Sequence, residues 1–320
     1  MSVIIPKKAY YTIVAASVRF ANQKIPQEEW LEASGVFVGK NVGKKKKQKV
    51  IISEAYPIMH EEYDPEAIVD KYVWSDEDHI SLAMIDDEAF AREEFIVGWW
   101  HSHPGFKVML SGFGDRKTTM SYQTSNPLAV SLVFNPLRLI RQVEMPEKKG
   151  DPIKQLKNDP GFKIFRLNDP QDSKSNYHEV DFEIEGFESP EQLITQAQKF
   201  IVDVTNFFPK DNIVDTYQTF IKNKINELNS LLMGTEEYLK TLVRKGESAR
   251  VPEVLANQEK EIRKFIAETF IKIENIKEFM DYLEYKERAK VIPVVTEVLH
   301  QWDETISKLD AKMKQLKKKF

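Results

Sequence analysis

A chain of 320 residues, 42% hydrophobic and 30% charged, can bury a core, and its length suggests about two domains. A formal net charge of −4 argues against general nucleic-acid binding, which favours a basic surface. There is no cysteine, so disulfides, cysteine nucleophiles and thiolate metal sites are excluded, and any metal must be held by His, Asp, Glu or solvent.

At the start, Lys7 and Lys8 precede a moderately apolar run, 9–18, diluted by Tyr10, Tyr11 and Thr12 and ended by Arg19. It reads as an amphipathic helix, not a signal peptide. No apolar stretch reaches bilayer length, so a cytoplasmic protein is expected. Gly35-Val-Phe-Val-Gly39 and Val50-Ile-Ile-Ser53 read as two strands, with the lysine tract 44–47 as a solvated tip between them. Phe95-Ile-Val-Gly-Trp-Trp100 is apolar on both faces, as a central buried strand must be, and 128–134 is a second such run. Residues 142–159 are polar and read as an inserted loop before a short strand at 162–167; 178–187 alternates and reads as a last strand. Strands mixed with helices on one sheet indicate an α/β or α+β domain over 1–187.

The period then changes. Ser189-Pro-Glu-Gln192 has the pattern of a capping box with proline at the first helical position. Helices are expected over 190–207, 212–233, 235–245, 252–288 and 294–319, punctuated by Gly234, Gly246 and Pro293. Two of them carry a seam of 3.5-residue period: Ile262, Ile266, Thr269, Ile273, Ile276, Met280 and Leu283, then Val295, Leu299, Trp302, Ile306, Leu309, Met313, Leu316 and Phe320. Either the two helices pack on each other, or one seam receives another subunit. Residues 188–320 are thus expected to form an all-α assembly domain.

The stretch that carries chemistry is His101-Ser-His-Pro-Gly-Phe-Lys-Val-Met-Leu-Ser-Gly-Phe-Gly-Asp115. His101 and His103 stand two apart at a strand end, so both imidazoles project to one face and can reach one point. Pro104 ends the strand. A histidine pair needs a further anionic ligand and an open position to be catalytic, and Asp115 can supply the carboxylate from the following turn. Each residue has an ordinary alternative: strand-end histidines, a helix cap at Asp115, a turn serine at Ser111. Their joint spacing favours a site. His60, His79, His178 and His300 fit no pattern and are expected at the surface.

This segment resembles the motif of the JAMM/MPN+ metallopeptidases: His-x-His, seven residues, then Ser-x-x-Asp. The family's upstream glutamate, placed before a glycine-containing strand, is matched by Glu32 in Leu31-Glu-Ala-Ser-Gly-Val-Phe-Val-Gly39, and 3–23 resembles its first strand and helix. Trp100-His-Ser-His-Pro-Gly-Phe and Leu110-Ser-Gly are most similar to the catalytic, deubiquitinating subunits of the proteasome lid, and Asn135-Pro136 to that group's Asp-Pro. One residue departs from the pattern. Gly114 stands where the family has aspartate, and the acid comes one position later, at Asp115. Third and fourth neighbours on a helix share a face, and Gly112 and Gly114 can absorb an insertion, so Asp115 is expected still to reach the metal.

The resemblance implies a cytidine-deaminase-like mixed sheet flanked by helices. It implies one Zn²⁺ held by His101, His103 and Asp115, with Glu32 as general base and Ser111 as hydrogen-bond donor to the oxyanion. The implied reaction is hydrolysis of the isopeptide bond between ubiquitin, or a ubiquitin-like modifier, and its target. The modifier's tail would lie along 56–87 or 142–161 by strand addition. Expected partners are modifier conjugates and another MPN subunit or a second copy held through the C-terminal helices, with no nucleic acid and no membrane. A non-catalytic MPN scaffold within a larger, proteasome-lid-like assembly is the alternative.

Overall fold

The computed structural model describes residues 1–44, 47–62, 74–112, 114–141, 143–144, 154–155 and 158–320. They form two compact units, Met1–Phe208 with Asp281–Arg288, and Pro209–Met280 with Ala289–Phe320.

In the first unit, β1 (Ser2–Pro6) runs directly into α1 (Lys7–Phe20). Every residue of α1 from Ala9 to Phe20 is buried. The expected amphipathic helix is therefore enclosed on all sides, because the sheet covers one flank and α5 (Pro190–Phe207) the other. The Tyr11 and Phe200 rings stack at 4.3 Å across that second contact. The helical period thus begins before the second unit does.

β2 (Leu31–Val42) and β3 (Lys49–Glu62) are antiparallel. Of the lysine tract between them, 45 and 46 lie outside the described residues, while Lys44 and Lys47 are exposed. α2 (Asp76–Ala91) starts on a capping box: Ser75 Oγ accepts from the Asp78 N–H, and the Asp78 carboxylate accepts from the Ser75 N–H. β4 (Phe95–Ser102) and β5 (Val130–Phe134) are parallel and need a crossover, which α3 (Gly114–Ser125) provides. α4 (Pro136–Arg141), a short pair β6 (Val143–Glu144) and β7 (Lys154–Gln155), and β8 (Phe162–Leu167), β9 (Tyr177–Glu179) and β10 (Asp181–Glu185) complete the unit before α5.

Eight strands make one mixed sheet in the order β10-β1-β3-β2-β4-β5-β8-β9. β4 sits inside it, with Val97, Trp99 and Trp100 buried, as its two-faced apolar sequence requires. The run 178–187, read as one strand, is two. β9 pairs with β8 and β10 with β1, at opposite ends of the order. Only Val180 separates them, and its N–H donates to the Ile164 carbonyl at 2.8 Å. Alternation alone cannot reveal this, because the sheet curls until its two edges meet at that residue.

His60, expected at the surface, is half-buried instead. Its ring stacks on Phe20 with centroids 4.0 Å apart, and its Nδ1 lies 2.5 Å from Glu284 Oε1. His79, His178 and His300 are exposed.

The second unit consists of α6 (Ile213–Arg244), α7 (Val251–Met280) and α8 (Tyr285–Lys319), which begins within the first unit. Two expected stops do not stop a helix. Gly234 lies inside α6, where glycine costs roughly 1 kcal/mol relative to alanine. Leu228, Leu232, Thr235, Leu239 and Leu242 carry one buried face straight past it. Pro293 lies inside α8, between buried Val291 and Val295. Conversely, the helix expected over 252–288 ends at Met280, and 281–288 folds back into the first unit. The seam residues Ile262, Thr269, Ile273 and Ile276 of α7 and Val295, Leu299, Trp302, Leu309, Met313 and Leu316 of α8 are buried within this chain. Among the described residues, no helix is long and apolar enough to cross a membrane.

Candidate metal centre

The antiparallel register of β2 and β4 pairs Ser34 with His101. Carried two residues further, it sets Glu32 level with His103 and on the same face. Buried Ser102 Oγ accepts the Ala33 N–H at 2.9 Å and locks that level. The His103 N–H donates to the Phe134 carbonyl at 2.7 Å, which prolongs the β4–β5 pairing past Ser102. The start of β2 and the ends of β4 and β5 therefore meet at one corner. The carboxyl ends of parallel strands are where open α/β sheets hold ligands.

The loop after His103 is pinned from below. Val108 and Leu110 are buried with Val133, Phe165 and Leu167, while Phe106 and Met109 point outward. Gly105 at φ +81° and Gly112 at φ +30° supply the left-handed turns that such a path needs. Asn135 Nδ2 donates to the Phe106 carbonyl at 2.5 Å, and its Oδ1 accepts from the Leu137 N–H.

His101, His103 and Asp115 are all buried, and each offers one ligand atom to the same small space. Nε2 of His101 lies 3.0 Å from Nε2 of His103, and Asp115 Oδ2 lies 3.3 Å from the first and 3.6 Å from the second. Three donors each about 2.0–2.1 Å from one tetrahedral zinc stand roughly 3.3 Å apart, so this triangle has the size and the N,N,O chemistry of such a site. The imidazole tautomer also fits. His103 Nδ1 lies 2.8 Å from the Lys107 carbonyl, which can only accept; the ring hydrogen is therefore on Nδ1, and the Nε2 lone pair faces the triangle. Burial pushes the Asp115 carboxyl up, but in the metal-free site the imidazolium forms of His101 and His103 present in acid, with the Ser111 hydroxyl, outweigh it and hold the group at about 2. Asp115 also lies in the first turn of α3, where the helix favours negative charge.

Glu32, buried at the start of β2, brings Oε1 to 4.0 Å from His103 Nε2. Ser111 donates both its N–H and its hydroxyl to Asp115 Oδ2, at 2.6 and 2.8 Å. The extra residue makes the two an i, i+4 pair, with Gly112 turning the chain and α3 beginning at Gly114. All five residues singled out in the sequence stand at this corner. Of the two segments considered for the modifier's tail, 63–73 of the first and 142, 145–153 and 156–157 of the second lie outside the described residues.

Two supporting side chains were not foreseen. Trp99 stacks on His101 with centroids 4.4 Å apart and planes at 8°. Its indole N–H donates to Thr119 Oγ1 at 3.2 Å, and Thr119 donates to the Asp115 carbonyl at 2.6 Å. The period of two along β4 could have flagged Trp99, which shares the face of His101; Thr119 is only an i+4 neighbour of Asp115.

Residues 1–127 match the family profile described as JAB1/Mov34/MPN/PAD-1 ubiquitin protease. The matched span lies within the first unit and holds Glu32, His101, His103, Ser111 and Asp115. This chain is 25% identical over 164 residues to the 26S proteasome non-ATPase regulatory subunit 14 of Dictyostelium discoideum, covering 47% of this chain and 50% of that protein. It is 42% identical over 50 residues to the 26S proteasome regulatory subunit rpn11 of Schizosaccharomyces pombe, 16% of each. It is 40% identical over 50 residues to the ubiquitin carboxyl-terminal hydrolase RPN11 of Saccharomyces cerevisiae, again 16% of each. The chain thus spans about half the length of the first of these relatives and less of the others. A solution structure of a protein from Salinibacter ruber aligns at 14% identity and TM-score 0.30, over 59% of this chain and 95% of that one, a likeness too slight to bear on the fold.

Proposed function

We propose that this chain is a JAMM-type zinc isopeptidase that cleaves ubiquitin, or a ubiquitin-like modifier, from its conjugates. The observation that carries this reading is the triangle of His101 Nε2, His103 Nε2 and Asp115 Oδ2 with the Glu32 carboxylate at its edge. A zinc ion held by those three atoms supplies Lewis acidity and brings the pKa of water to near 7. Glu32 takes the proton of the attacking water and delivers it to the departing amine, which is a poor leaving group until protonated. Ser111, whose hydroxyl borders the cluster, is the proposed donor to the oxyanion; no acyl-enzyme is needed and it is not a nucleophile. Burial of His101, His103 and Asp115 keeps these charges out of bulk water and so strengthens each interaction.

The same reading takes the sheet as cytidine-deaminase-like and the chain as cytoplasmic, with the helical unit engaging another MPN subunit or a second copy. The relative named a ubiquitin hydrolase supports the substrate class. One observation favours the second reading, a non-catalytic MPN scaffold: the Ser111 hydroxyl is already donated to Asp115. Cleavage of di-ubiquitin and of modifier fusions by the zinc-loaded chain, beside Glu32→Gln, separates the two. Chelator-sensitive turnover lost in Glu32→Gln is expected. A chain that holds zinc and turns over none of these substrates is a scaffold.

A further inference from the structure

Trp99 and Thr119 lie behind the ligands, and no proton transfer or substrate contact in the proposed reaction requires them. On the metal-centre reading, we infer that Thr119, together with Trp99, is a positioning device that fixes His101 on β4 against Asp115 on α3. The two ligands sit on different elements, and their separation must hold to a fraction of an ångström for one cation to satisfy both. Trp99 is buried, and its indole nitrogen is a donor only, so it needs an acceptor. Thr119 Oγ1 provides one at 3.2 Å. The same hydroxyl spends its own hydrogen on the Asp115 carbonyl at 2.6 Å. A hydroxyl can accept and donate at once, whereas the isosteric valine can do neither. Because the Trp99 ring also lies flat on the His101 imidazole, one continuous chain of contacts runs from ligand to ligand: His101, Trp99, Thr119, Asp115. Thr119 is buried, and its hydroxyl is engaged by the Trp99 indole on one side and the Asp115 main-chain carbonyl on the other.

The test is zinc affinity, measured by competition with a chromophoric chelator on the full chain, together with the visible spectrum of the cobalt(II) form. Loss of a hydrogen-bond partner behind a ligand lowers metal affinity by about 10- to 100-fold, which is the weakening expected for Thr119→Val. Thr119→Ser keeps the hydroxyl and is expected to restore affinity and the cobalt spectrum. A purely structural role for Thr119 would weaken folding without moving either readout. If Thr119→Val does not fold, Trp99→Phe keeps a stacked ring, removes the indole donor, and is expected to weaken zinc by about tenfold. Unchanged affinity in whichever of these variants folds overturns the positioning role alone. An unsubstituted chain that takes up no zinc overturns the metal centre itself and the role with it.

Discussion

Two clusters of buried charge lie in the first unit, and they balance in different ways. In one, Arg19 on α1 grips Glu287 through both terminal guanidinium nitrogens at 2.7 and 2.9 Å, Lys286 meets Asp78 at 2.9 Å, and His60 meets Glu284. Arginine and lysine there answer the carboxylates directly, so the cluster ties 281–288 to α1, α2 and β3. In the other, Asp115 is answered by two imidazoles and a serine, and the histidine nitrogens converge on one point. The first arrangement spends its charge on holding the chain; the second turns lone pairs toward a shared centre, which suits a cation. Burial of charge alone therefore does not mark a site, and the direction of the lone pairs does.

The largest effect that separates the clusters is expected from Glu32→Gln, which should lower turnover by about 10²- to 10⁴-fold with zinc affinity little changed. Steady-state cleavage beside a zinc titration measures both. Next is Arg19→Met, which leaves the Glu287 carboxylate in a partly buried place without its main partner. A loss of about 3 kcal/mol in urea unfolding is expected, with zinc binding intact. Its pH dependence sharpens the contrast. Burial raises Glu287 and Arg19 outweighs it, so the folded carboxyl titrates below its ordinary value. The stability that this pair contributes is full above the ordinary carboxylate range and is lost as pH falls through the lowered value, so the gap between Arg19→Met and the parent should close in acid. A gap that widens in acid would contradict the ion pair.

Zinc should act on the other cluster. At a hundred times its Kd, binding to the folded chain alone adds about 2.7 kcal/mol, seen as a rise in melting temperature that a chelator reverses. Arg19→Met should show the same increment as the parent. The smallest effect is expected from Ser75→Ala, which removes the α2 cap and costs about 1 kcal/mol by thermal unfolding. Because Asp78 belongs both to that cap and to the Lys286 pair, Ser75→Ala and Lys286→Met should not be additive.

Much of the metal corner is legible in sequence because its logic is local. His101 and His103 follow the period of a strand, and Asp115 follows within reach of one loop. Glu32 is different: its own neighbourhood reads as a run of exposed acids, and only the resemblance selects it. The Trp99–Thr119 tie is silent, since it depends on how a helix is seated on a strand. The Arg19–Glu287 pair is silent for a further reason. The apolar seam of α7 continues in register through Leu283, so periodicity carried the expected helix past the point where the chain turns back. Gly234 and Pro293 misled in the opposite direction, because tertiary burial on both sides of each outweighs a local penalty of a few kcal/mol. The two edge strands around Val180 could not be told from one, since alternation records a face and not a neighbour.

The metal content of the purified full chain, beside that of Asp115→Ala, bears most directly on the corner. One zinc per chain is expected in the parent and none in the variant, with the far-ultraviolet circular dichroism of the two alike. Equal metal in both, or none in a parent given excess zinc, would contradict a centre built from His101, His103 and Asp115.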